Sequence, residues 1–172
     1  HAYIENSNSV IVELNNEKIR IEAENIIIAT GAKAKNLPFL KDLNDIWSYK
    51  EAMTPKAIPK SLGIIGSGAI GIEFACFYNE LGTDVKVFEA QDCIIPNEDK
   101  DISIELEKNL INKNITFYKN TKVIALKKNK FFELTASSRG IDTHYKFDKV
   151  LIAVGVEGNI DNIGLKNTTI KT

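Results

Sequence analysis

Leu62-Gly63-Ile64-Ile65-Gly66-Ser67-Gly68-Ala69-Ile70-Gly71 is the stretch on which the fold turns. Residues 62 to 65 read as a short apolar strand, and the glycines after them end it abruptly. From Ala69 to Leu81 the spacing predicts a helix, with Ile70, Phe74, Phe77 and Leu81 on one face and Gly82 as its C-terminal cap. Asp84 to Phe88 reads as a second strand, and Pro96 closes the loop after it. Asp101 to Lys113 reads as a second amphipathic helix, with Ile102, Leu106 and Leu110 in register, and Ile115 to Tyr118 as a third strand. Strand, helix, strand, helix, strand is the rhythm of a parallel sheet flanked by helices.

The loop between strand and helix has the spacing Gly-x-Gly-x-x-Gly, and its position after a strand and before a helix gives the motif weight. Gly66 allows a tight turn out of the strand. At Gly68 a side chain would collide with an approaching pyrophosphate, and Gly71 lets the helix pack close to the sheet. The backbone N–H groups of Gly66, Ser67, Gly68, Ala69, Ile70 and Gly71, with the positive end of the helix dipole, suit a dinucleotide pyrophosphate. This is a Rossmann pattern. The second strand ends at Glu89, about 20 residues beyond the loop, where a carboxylate reads the adenosine ribose. A carboxylate there accepts hydrogen bonds from a 2′-hydroxyl and repels a 2′-phosphate, and Ala90 and Gln91 carry no positive charge. The expectation is NAD rather than NADP. Glu73 has two readings: a carboxylate favoured by the helix dipole, or a polar group reaching toward the nicotinamide.

Outward from this unit the pattern turns to β. Val123 to Leu126, Phe131 to Thr135 and Ile141 to Phe147 read as three antiparallel strands, and Val150 to Ala153 as a buried strand ending at Gly155. Upstream, Val10 to Leu14 and Ile19 to Ala23 flank the turn signal Leu14-Asn15-Asn16-Glu17. Asn25-Ile26-Ile27-Ile28-Ala29 reads as another buried strand, ending at Thr30-Gly31. Residues 32 to 60, broken by Pro38, Pro55 and Pro59, read as a connector. Ser48 and Glu51 in it have the spacing of a capping box. The segments 23–31 and 147–155 echo each other, which suggests two related nucleotide-binding domains. The expected fold is α/β: a Rossmann-like parallel sheet with flanking helices and a three-stranded antiparallel β meander.

Hydrophobic residues make up 44% of the 172 and charged residues 26%, with a formal net charge of −1. Those values suit a globular domain and supply no field that favours nucleic acid or an anionic membrane. No apolar run reaches the roughly 20 residues of a spanning helix. Heavy use of Ile, Asn and Lys hints at a bacterium with an A/T-rich genome. Cys76 and Cys93 match neither a redox pair nor a zinc spacing and read as unpaired thiols in a reducing cytoplasm. His1 and His144 sit near no nucleophile or ligand cluster, so neither a catalytic triad nor a metal site is expected. The opening at His1 reads as that of a fragment.

The run Gly66-Ser67-Gly68-Ala69-Ile70-Gly71-Ile72-Glu73-Phe74-Ala75, with Trp47-Ser48-Tyr49-Lys50-Glu51-Ala52-Met53-Thr54-Pro55-Lys56 before it, resembles dihydrolipoamide dehydrogenases. These belong to the flavin-dependent pyridine nucleotide–disulfide oxidoreductases. The resemblance implies an incomplete FAD domain over 1–35, a connector over 36–60, an NAD domain over 61–155, and the start of a return to the FAD domain over 156–172. It implies NAD contacts at the glycine loop, Glu73, Glu89, Val123 and Gly155, and FAD contacts at Ala2, Ala29, Thr30 and Gly31. It also implies a homodimeric, cytoplasmic bacterial enzyme. Such an enzyme oxidises dihydrolipoamide carried by a 2-oxo-acid dehydrogenase complex, through an enzyme disulfide and FAD to NAD. The cysteine pair and acid–base histidine of that family match nothing here, so no catalytic residue and no turnover are expected of this chain alone. In place of the usual Gly-Arg-x-Pro-Asn stands Gly155-Val156-Glu157-Gly158-Asn159, which lacks the Arg and the Pro. Another FAD-dependent disulfide reductase, an NADH oxidase and a non-catalytic NAD-binding module are the alternatives.

Overall fold

The computed structural model describes residues 1–40 and 43–171; Lys41 and Asp42 of the connector and Thr172 lie outside the described residues. The chain divides into two compact units, one of residues 1–33 with the chain from 157 onward, the other of residues 34–156.

In the first unit Ala2–Asn6 (β1), Ser9–Leu14 (β2) and Glu17–Glu22 (β3) form an antiparallel meander. Leu14 pairs with Glu17 across a two-residue turn, Asn15 and Asn16, with φ of 52° and 67°. Two positive φ values match the twist of the flanking strands, and Asn tolerates them. Residues 25–29 do not form the strand that their apolar run predicts. None of their backbone groups joins a ladder among the described residues, and Ile27 is 91% exposed. A strand needs a neighbour for its N–H and C=O groups, and an apolar run alone does not provide one. Further on, the chain returns to β1: Ile4 N–H donates to the Ile163 carbonyl at 2.7 Å, and Asn167 Nδ2 to the Ile4 carbonyl at 2.8 Å.

A short strand, Ala32–Ala34 (β4), leads to the second unit. There Tyr49–Met53 (α1) is capped as expected: Ser48 Oγ accepts from Lys50 N–H, and Glu51 accepts from Ser48 N–H at 2.8 Å. Ser61–Ile65 (β5), Ala69–Glu80 (α2), Asp84–Phe88 (β6), Lys100–Asn112 (α3) and Thr116–Tyr118 (β7) then follow in β-α-β order. Next come the antiparallel strands Lys122–Lys128 (β8), Phe132–Ser138 (β9) and Ile141–Phe147 (β10), then Lys149–Ile152 (β11). Val156–Gly158 (β12) pairs with β4. The central sheet is parallel, in the order β11-β5-β6-β7, and Trp47 adds one further parallel bridge to Leu151. This is the expected α/β fold.

Alternation along the strands sorts side chains to two faces. Leu62, Ile64, Val85, Val87 and Leu151 join Ile72, Ala75, Tyr78 and Leu110 of the helices in one core. Ile65, Phe88, Val150 and Ile152 join Val123, Leu126, Phe132, Leu134 and Phe147 of the meander in the other. The helical faces differ from the expected ones. In α2 the buried positions are Gly71, Ile72, Ala75 and Tyr78, while Phe77 is 51% and Leu81 47% exposed. Small residues at 71 and 75 let the helix backbone approach the sheet, and that close approach, rather than the largest side chains, sets the inward face. In α3 Ile102 is exposed, and Ser103 is buried with Oγ donating to the Ile94 carbonyl at 2.7 Å.

Tyr78 ties the connector to this core. Its buried hydroxyl donates to the Ala52 carbonyl at 2.6 Å, and its ring lies 5.7 Å from that of Trp47. Burial pushes the phenol pKa up, so the donor stays protonated. Replacing Tyr78 with Phe leaves that carbonyl without its partner and is expected to cost about 1–3 kcal/mol in urea unfolding. A change below a few tenths would mean that the connector is not held by this bond.

Candidate functional site

The turn from β5 into α2 is built on three close approaches. Gly66 has φ of +99°, and its N–H donates to the Phe88 carbonyl at 2.8 Å. A Cβ on Gly71 would lie 2.1 Å from the Gly66 carbonyl oxygen, so only glycine lets the helix begin there. Ser67 is fully buried, and its carbonyl accepts from Ile95 N–H at 2.8 Å. Gly68 differs: a Cβ there would meet no atom within 4 Å. Packing within the chain gives no reason for glycine at 68, whereas a ligand lying against the helix N-terminus does. That first turn contains no acidic side chain of its own, but the Glu89 carboxylate lies just before it, accepting from Ser67 N–H at 2.9 Å, so the Gly66 and Ser67 N–H groups expected to face a pyrophosphate are spent within the chain, on the Phe88 carbonyl and on Glu89.

Over this turn lies a groove of about 860 Å³. It brings together Gly66, Ser67, Gly68, Ala69, Ile70, Glu89, Val123 and Gly155. Gly71 lies beneath it as the packing glycine. Val123 arrives from β8 beside a bulge, where the register with β9 shifts between Val123 and Ala125. The Asn120 and Thr121 N–H groups donate to the Gln91 and Glu89 carbonyls, each at 2.8 Å, which fixes β8 beside the end of β6.

Glu89 is 8% exposed and held by three donors. Its Oε2 accepts from Ser67 N–H at 2.9 Å and from Ser67 Oγ at 2.7 Å, and its Oε1 accepts from Gln91 N–H at 2.9 Å. Lys122 also lines the groove and is, with Glu89, one of its two charged side chains among the described residues. Reading along the chain from Glu89 finds only Ala90 and Gln91. Lys122 comes from β8, and its nearest signal in the sequence is its place beside Val123.

Glu73 stands apart from the groove. It lies in the second turn of α2, beyond the reach of the terminal dipole, so the first of its two readings falls. It lines a separate recess of about 530 Å³ with Tyr49, Met53, Ile70, Phe74 and Phe77. Ile70 borders both spaces. In the first unit Ala2 opens β1. Thr30 and Gly31 are engaged by Asn159: Thr30 Oγ1 donates to the Asn159 carbonyl at 2.6 Å, and Asn159 N–H donates to the Gly31 carbonyl at 2.9 Å. Ala29, just before them, is exposed. Cys76 and Cys93 are free, and partial burial pushes the Cys76 thiol pKa up. No helix among the described residues is long and apolar enough to cross a membrane.

A family model described as pyridine nucleotide-disulphide oxidoreductase matches residues 2–172. A dihydrolipoyl dehydrogenase of Rhizobium etli is 43% identical over 154 residues, covering 87% of this chain and 32% of that protein. One from Zymomonas mobilis is 41% identical over 159 residues, covering 90% of this chain and 34% of that protein. Among solved structures, the HOCl-induced flavoprotein disulfide reductase RclA of Escherichia coli superposes with a TM-score of 0.83 at 25% identity, covering 99% of this chain and 38% of that one. The chain therefore spans about a third of the length of the curated relatives it matches.

Proposed function

The chain belongs to the pyridine nucleotide–disulphide oxidoreductase family, and from that premise we propose that it is the NAD(H)-holding part of a dihydrolipoamide dehydrogenase. The observation that carries this reading is the groove, with its glycine turn at one side and a nearly buried carboxylate at the end of β6. In this reading the pyrophosphate lies over Gly68 against the first turn of α2, where the N–H groups that open the helix face it. Glu89 accepts from an adenosine ribose hydroxyl, and Val123 and Gly155 wall the groove. The nicotinamide extends past Ile70 toward Glu73. Residues 61–155 act as the NAD domain and 36–60 as its connector, with residues 1–35 and 156–172 belonging to an FAD domain.

NAD and FAD supply the hydride chemistry when bound; the residues of this chain bind and orient the nicotinamide dinucleotide. Toward FAD the chain offers Ala2 and the backbone at 29–31, and the Thr30 hydroxyl is already donated to Asn159. For the whole protein the proposal is a cytoplasmic homodimer that oxidises dihydrolipoamide on a 2-oxo-acid dehydrogenase complex.

Titration of the chain with NADH and NADPH, followed by nucleotide fluorescence, tests the reading. NADH binding at least about tenfold tighter than NADPH, about 1.4 kcal/mol, is the expected result, and Glu89→Ala should remove most of that preference. Equal affinities, or a preference untouched by Glu89→Ala, would overturn the assignment of Glu89.

A further inference from the structure

The lining of the groove identifies Glu89 as its carboxylate but does not say what holds that carboxylate in place. We propose that Ser67 is a positioning residue for cofactor selectivity: its buried hydroxyl fixes Glu89 so that one acceptor site, on Oε1, faces the ligand. The inference rests on the dinucleotide reading of the groove and adds to it a residue that touches no ligand.

The geometry carries the argument. Ser67 belongs to the loop expected to contact the cofactor, yet its side chain is fully buried and its Oγ is spent on Glu89 Oε2 at 2.7 Å. The same oxygen accepts from Ser67 N–H at 2.9 Å. Serine thus grips one oxygen with both of its donors. Gln91 N–H takes one position on Oε1 at 2.9 Å. A carboxylate offers about four acceptor positions. Among the described residues three are filled from within the chain, and the fourth, on Oε1, is open to one hydroxyl donor.

That count has a functional meaning. A carboxylate with one free acceptor reads a single ribose hydroxyl and presents its negative charge to any phosphate at that point. Without the serine hydroxyl, Oε2 keeps a single N–H donor, and the side chain gains freedom to turn. Lys122 lines the same groove and offers a loosened carboxylate a competing partner. Ser67 is therefore expected to act on selectivity through Glu89 rather than on binding as such. A serine that merely packs the loop would affect both nucleotides alike.

A double-mutant cycle separates the two roles. The affinities of the unaltered chain, Ser67→Ala, Glu89→Ala and the double variant are measured for NADH and for NADPH. Ser67→Ala is expected to weaken NADH about tenfold, the ordinary consequence of losing one hydrogen bond to a charged group, and NADPH less than about twofold. In the Glu89→Ala background the same substitution should change NADH affinity less than about twofold. Ser67→Cys, which keeps an atom at the γ position but is a poor donor, should behave as Ser67→Ala if the alanine variant folds badly. Equal loss for both nucleotides, or the same loss with Glu89 absent, would overturn the positioning role. Failure of the unaltered chain to bind either nucleotide would overturn the dinucleotide reading and this inference with it.

Discussion

Gly71→Ala is expected to damage both the fold and the binding of NADH, whereas Gly68→Ala is expected to damage binding alone. The Cβ of an alanine at 71 would sit 2.1 Å from the Gly66 carbonyl oxygen and 3.3 Å from the Ala153 Cβ. Both neighbours are held, the oxygen by the backbone of the turn and the methyl by the core. The helix start must move by about an ångström to admit the methyl, and overpacking of this kind costs about 3 kcal/mol at the upper part of its usual range. The shift also carries the N–H groups of α2 away from the groove. A loss of similar size in binding corresponds to about 100-fold in Kd. At Gly68 no atom lies within 4 Å of the added methyl, so thermal unfolding should be unchanged. Only a ligand would feel it. Melting curves with NADH titrations on both variants test the pair. Full affinity in Gly68→Ala would mean that no ligand approaches the backbone there.

The second large effect is expected where the meander meets the sheet. Phe147 is 1% exposed, and its ring lies against the space left by Gly63, in the middle of β5. A Cβ on Gly63 would fall 2.7 Å from one ring carbon and 2.8 Å from the next. Glycine is a poor strand residue, and its presence in a central strand marks a close approach. Phe147→Ala is expected to cost about 3–5 kcal/mol, and Gly63→Val about 1–3 kcal/mol. The two should not add. Gly63→Ala with Phe147→Leu trades a methyl for a smaller ring substitute and is expected to destabilise less than the sum of its parts. Urea unfolding of the singles and the double measures this. Strict additivity would show that ring and strand do not share one space.

The glycine turn, the β-α-β order and the hairpin turns are legible because each depends on a few neighbouring residues. Asn15-Asn16 and Arg139-Gly140 both connect strands with positive φ, as their residue types allow. Ser48 and Glu51 form their capping box without help from the core. Glu89 is legible because the length of one strand, one turn and one helix is nearly constant. The helix faces were not. Phe77 and Leu81 share a face by period, yet Gly71 and Ala75 point inward because a close sheet admits small residues better.

The sequence by itself determined the order of elements, the glycine turn and the carboxylate at the end of β6. Only the tertiary structure decided which segments become strands and which groups meet. Residues 25–29 and 149–153 carry nearly the same apolar pattern, and the strand β11, within the second, pairs with β5 while residues 25–29 remain unpaired among the described residues. A strand is made by hydrogen bonds to a neighbour, which no local pattern contains. The same holds for the grip of Ser67 on Glu89 and for the presence of Lys122 in the groove. These depend on contacts between residues far apart in the chain, and the distances that decide them exist only once the sheet has formed.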